Sequence, residues 1–97
     1  MAMKITVEFL SLPNIVRKIG SKSVPLDFSG STVNDLVHEI AEKYGRDVKK
    51  FLLDENENLD MSLSLLLNEQ EWVRRNQMDK LLKDGDHITI MMLAAGG

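Results

Sequence analysis

Two alternating strands, one amphipathic helix and a further run of strands predict an α+β domain, with a mixed sheet of four to five strands packed on one main helix. Apolar and polar residues alternate over residues 3–9 and again over 24–28. The period then lengthens to that of an α-helix over residues 33–44. Short alternating runs return over 63–67 and 88–92, with a strong turn signal just before the last. A chain of 97 residues suits one domain with a modest single core.

Met3, Ile5, Val7 and Phe9 alternate with Lys4, Thr6 and Glu8, the period of two of a half-buried strand. Leu12-Pro13-Asn14 breaks it, and residues 15–20, closed by Gly20, read as a connector. Val24, Leu26 and Phe28 alternate again. Pro25 lies inside this second strand, and a missing N–H is tolerated at a sheet edge, so an edge strand in a hairpin with the first is expected.

Val33, Leu36, Val37, Ile40, Ala41 and Tyr44 fall at i, i+3, i+4, i+7, i+8 and i+11, one apolar stripe of a helix. Thr32 is a good N-cap, with Asp35 three positions later in a near capping box. Gly45 suits the position just past the helix. Val48, Phe51 and Leu52 indicate a further helical turn, and 54–58 a polar loop. Leu63, Leu65 and Leu67 form a third strand, 68–70 a turn, and Glu71 to Val73 a very short fourth strand. Met78, Leu81 and Leu82 make an apolar patch. Asp84-Gly85-Asp86 turns the chain into the final strand. There Ile88, Ile90 and Met92 alternate with His87, Thr89 and Met91 and are expected to face the core.

Composition narrows the function. Twelve basic against fifteen acidic residues, a net charge of -3, argue against nucleic acid, which wants a basic face. The absence of cysteine excludes disulfides, thiol nucleophiles and thiolate ligands. No apolar run approaches the roughly 18 to 20 residues that span a bilayer, so no membrane partner is expected. Glu8 interrupts the short apolar stretch near the start, unlike a signal peptide, and a cytoplasmic protein is expected. With two histidines and no ligand spacing, neither a metal site nor a catalytic triad is expected. His38 reads as a solvated helix residue, His87 as a flank of the turn, Trp72 as a partly buried anchor, and 54–60 as a solvated acidic loop.

Gly96-Gly97 directly follows the last strand. Glycine is about 7% of average composition, so such a pair arises by chance at a given place about once in 200 chains. Two residues without side chains make the thinnest peptide for entering another protein's active site. The order of elements looks like the β-grasp fold of ubiquitin. The segment Leu82-Lys83-Asp84-Gly85-Asp86-His87-Ile88-Thr89-Ile90, followed by Gly96-Gly97, is similar to the MoaD/ThiS family of sulfur carriers. In that family an L-x-D-G-D turn leads into the last strand and on to a free Gly-Gly. Small archaeal modifier proteins and ubiquitin-related modifiers are similar in the same way. Many MoaD-like tails carry Pro-Pro where this chain has Met91-Met92-Leu93-Ala94-Ala95.

The resemblance implies a carrier rather than an enzyme, with residues 1–93 as the β-grasp domain and 94–97 as a flexible tail. Its functional group would be the Gly97 carboxylate, with Gly96 beside it. A MoeB/ThiF-type adenylating partner would activate that carboxylate with ATP and Mg²⁺, the carrier itself binding no cofactor. A MoaE-type subunit of molybdopterin synthase would then receive the sulfur; alternatively, Gly97 would be joined to target-protein lysines. Ordering about four tail residues costs on the order of 4 to 8 kcal/mol, so contacts on the body must offset it. Met91, Leu93, Ala94 and Ala95 are the expected partner-binding residues, although Met91 can instead be core if both faces of its strand are covered.

Overall fold

The computed structural model describes residues 2–92. β1 (Met3–Leu10) runs through α1 (Pro13–Ile19) into β2 (Ser23–Phe28), which pairs antiparallel with β1. α2 (Val33–Tyr44) and α3 (Arg46–Leu52) follow. β3 (Leu63–Leu67), β4 (Glu71–Val73), a 3₁₀ turn at Arg75–Gln77 and β5 (His87–Met92) complete the order. The sheet runs β2-β1-β5-β3-β4, with β5 parallel to β1 and the other pairs antiparallel. The last strand is therefore central, flanked on both sides.

Pro25 sits opposite Thr6 in β2, and β2 is an edge strand, as a proline within a strand demands. Of residues 15–20, expected as a connector, 15–19 instead form most of α1 and Gly20 caps it. Pro13 starts that helix, where its fixed φ fits and its missing N–H is not needed. Ile15 is buried, and Gly20 (φ +90°) closes the helix by donating its N–H to the Val16 carbonyl at 2.7 Å. Seven residues give too few turns for a helical period to stand out from a loop.

α2 is the helix that the sequence describes most fully. Thr32 Oγ1 accepts from the Asp35 N–H at 3.1 Å, and Asp35 Oδ2 accepts from the Thr32 and Ser31 N–H groups, each at 3.1 Å. The Ser31 N–H, then that of Thr32, hold the Asp35 carboxyl below the usual carboxylate range. Two N–H groups of the first turn, on Val33 and Asn34, reach the carbonyls of Lys80 and Met78 at 3.0 and 2.9 Å. Val33, Leu36, Val37, Ile40 and Ala41 are buried with Ile5, Val7, Leu65, Ile88 and Ile90 in one core. α3 adds Val48 and Leu52, while Phe51 stays exposed.

Candidate functional site

β5 leads from the Asp84-Gly85-Asp86 turn toward the C-terminal residues, so its two ends define the region of interest. The turn end is held by many bonds. Asp84 Oδ1 accepts from the Lys4 N–H at 2.7 Å, and the Gly85 N–H donates to the Lys4 carbonyl at 2.8 Å. Gly85 has φ +89°, a region that side chains disfavour. Asp86 is buried at 7% exposure. Its carboxylate accepts from Asn68 Nδ2 at 3.1 Å and from the Lys83 N–H at 2.8 Å. Its carbonyl accepts from the Thr6 N–H at 3.0 Å. Asn68 in turn accepts from the His87 N–H through Oδ1 at 2.8 Å and donates its own N–H to the His87 carbonyl at 2.7 Å. The sequence marks Asp84-Gly85-Asp86 as a turn, but only the fold reveals Asp86 and Asn68 as the joint that sets where β5 starts.

The register defines the sheet face turned away from α2. Leu10, Met91 and Ser64 lie in one row across β1, β5 and β3. Glu8, Thr89, Leu66 and Trp72 form the next row, reaching β4. Thr89 is buried between its neighbours, whereas Leu10, Leu66 and Met91 are half-buried. Trp72, expected as a partly buried anchor, is 50% exposed, because three-residue β4 is the sheet edge and nothing flanks its far side among the described residues. Met92, expected to face the core, is 43% exposed. It does lie on the core side, paired with Leu63, but it ends its strand and stands at the rim of the sheet. Of the expected partner-binding residues, Met91 is on the outer face, and Leu93, Ala94 and Ala95 lie outside the described residues, as do Gly96 and Gly97.

One grouping differs from expectation. No metal-ligand spacing is visible in the sequence, yet the fold brings the side chains of Glu8, Glu69 and His87 to within 4.8 Å of one another. His87 thus does more than flank a turn: its Nε2 is 3.1 Å from Glu8 Oε1. Among the described residues no helix is long and apolar enough to cross a membrane.

The chain as a whole, fold and sequence together, resembles known proteins. The ThiS family profile matches residues 11–97. The chain belongs to the ThiS family. It is 29% identical over 99 residues to ubiquitin-related modifier 1 of Candida glabrata, covering 98% of this chain and 99% of that protein. Small archaeal modifier protein 1 of Methanosarcina acetivorans superposes with a TM-score of 0.73 at 27% identity, covering 100% of this chain and 99% of the other. A chain of the Amycolatopsis orientalis BexX/CysO complex gives 0.71 at 29% identity, covering 96% and 99%. The fold is thus the ubiquitin-like β-grasp, and this ThiS-family chain stands among small ubiquitin-like carrier and modifier proteins.

Proposed function

We propose that this chain is a sulfur carrier whose reactive group is the carboxylate of Gly97. The observation that carries this is the family match, which runs through residue 97 itself. A carboxylate resists attack because of its charge and resonance. Activation as an acyl-adenylate supplies AMP as a leaving group, and it requires ATP, Mg²⁺ and a partner that neutralises phosphate charge. That partner is a MoeB/ThiF-type adenylating enzyme. A sulfide-level sulfur nucleophile then attacks the acyl carbon, the acyl–phosphate C–O bond breaks to release AMP, and a thiocarboxylate is left on Gly97. The chain has no cysteine, so the sulfur comes from a separate donor. The chain contributes the substrate group and the docking surface, not the catalyst. Met91 on the outer face and Met92 at the rim, continuing into Leu93, Ala94 and Ala95, are adaptable apolar contacts for the partner. Adenylation depends on ATP, which fits a cytoplasmic setting.

For the acceptor we propose a MoaE-type large subunit of molybdopterin synthase, on the likeness of the closing segment. Conjugation of Gly97 to target-protein lysines is the alternative, favoured by the names of two relatives that match nearly the whole chain, both called modifiers. Mass spectrometry of the protein purified from its own cell separates these outcomes. A C-terminal peptide heavier by one oxygen-to-sulfur exchange supports the carrier. Lysine-linked branched peptides ending in this chain's Gly-Gly, without any thiocarboxylate, support conjugation alone. An unmodified terminus in cells that hold the activating enzyme and a sulfur source overturns both.

A further inference from the structure

We propose that Glu8, Glu69 and His87 form a binding site for a zinc-class divalent cation on the outer face of the sheet. The three residues are far apart in sequence and come from β1, the β3–β4 turn and β5. Thr6 pairs with His87 and Glu8 with Thr89, so Glu8 and His87 are diagonal neighbours on one face of adjacent parallel strands. Asn68 fixes the His87 backbone, and Glu69 follows it in the same turn.

A hydrogen bond between His87 and Glu8 alone explains two of these groups, and Lys22 Nζ stands 3.9 Å from Glu8 Oε2. Neither accounts for Glu69. Its carboxylate approaches that of Glu8, a like charge, and it has no ion pair among the described residues. A cation between the three groups removes that repulsion. The donor set is one imidazole nitrogen and two carboxylates, which suits zinc and its first-row neighbours better than calcium or magnesium, whose preference is for oxygen. Tetrahedral zinc with ligand bonds near 2.0 to 2.1 Å places its donor atoms about 3.3 Å apart. Glu8 and His87 already stand at 3.1 Å, and exposed Glu69 needs only a side-chain swing to join them. Three protein ligands leave a fourth position for water or for a group on a partner. The site lies at the start of β5, five residues and about 16 Å of extended strand from Met92.

The test uses the full, tag-free chain and zinc chloride at pH 7.5, read by calorimetry and by the imidazole ¹⁵N resonances of the two histidines. One equivalent should bind and move the His87 Nε2 signal while His38 stays in place. His87→Asn should abolish this binding, and His38→Asn should leave it unchanged. Glu69→Gln, a near-isosteric change on an exposed turn residue, should weaken it by about 10-fold or more, as even outer-shell losses at metal sites do. Circular dichroism confirms that each variant is folded; if His87→Asn is not, the Glu69→Gln affinity and the His87 resonance decide. No saturable binding up to millimolar zinc overturns the site, as does zinc that tracks His38 or wild-type affinity in folded Glu69→Gln.

Discussion

The two ends of β5 are held in opposite ways. At its start, buried Asp86, Asn68 and the Asp84–Lys4 bonds fix the backbone from three directions. At its finish, Met91 is half-buried and Met92 exposed, with backbone pairing to β1 and β3 but little cover on the side chains. The same six residues thus join a rigid body to the segment that the family match carries on to Gly97. A carrier needs both: a fixed origin, so that the reactive end is presented at a set distance, and an uncovered finish that a partner can grip.

The comparison implies that changes beyond the finish abolish function without touching stability. Deleting Gly97, or extending the chain past it, should abolish adenylation while circular dichroism and thermal midpoint stay at wild-type values. One residue moves the carboxylate about 3.5 Å along an extended chain, and a misplacement near 1 Å can already cost about 100-fold in rate. ATP–pyrophosphate exchange with the cognate activating enzyme is the measurement. Wild-type exchange by the deleted chain would remove Gly97 from the mechanism.

Changes behind the strand should do the reverse. Ile40 is buried in the core with Ile88 and Ile90, and Ile40→Ala should lower stability by roughly 2 to 5 kcal/mol. Urea unfolding measures it, and a loss below about 1 kcal/mol would mean that α2 does not back β5 as described.

How much of this was legible in the sequence follows from the length and locality of each signal. α2 was readable because twelve residues carry its stripe and Thr32 and Asp35 mark its start. The edge position of β2 was readable from Pro25 alone, since one missing N–H restricts where a strand can sit. α1 was hidden by its brevity. Alternation tells which face a residue occupies but not how far the cover extends, so it places Met92 on the core side without showing that the side chain is exposed at the rim. The exposure of Trp72 is hidden for the same reason at the β4 edge of the sheet. The Asp86–Asn68 joint and the Glu8, Glu69 and His87 group are made by pairing strands distant in sequence, so no local pattern announces them.

The joint itself should show an intermediate effect. Asp86→Ala removes the buried acceptor of two part-buried hydrogen bonds, those from the Lys83 N–H and from Asn68 Nδ2. A loss of about 1 to 3 kcal/mol is expected from denaturant unfolding. Hydrogen exchange should quicken at His87 and Thr6, whose N–H groups are held by Asn68 and by the Asp86 carbonyl, more than at the Met92 end. Uniform quickening along β5 would mean that the two ends are not independently held.

Among the substitutions within residues 2–92, the smallest stability effect should come from Met92, and that makes it the sharpest test of the uncovered finish. Its side chain is 43% exposed at the rim, while its backbone stays paired with Leu63 whatever the side chain. Met92→Ser should therefore change stability by no more than about 0.5 kcal/mol, the range of ordinary surface substitutions. If the partner grips this end, the same substitution removes an apolar contact that becomes buried on docking. Interface residues that matter cost more than about 1 kcal/mol on truncation, or roughly five-fold in affinity. The loss should fall on the KM of the activating enzyme for this chain and leave kcat unchanged, because the contact is equally present in the bound ground state and the transition state. An unchanged KM would place the docking surface elsewhere on the outer face, whereas a loss of stability near that of Ile40→Ala would show that the finish of β5 is as firmly packed as the core.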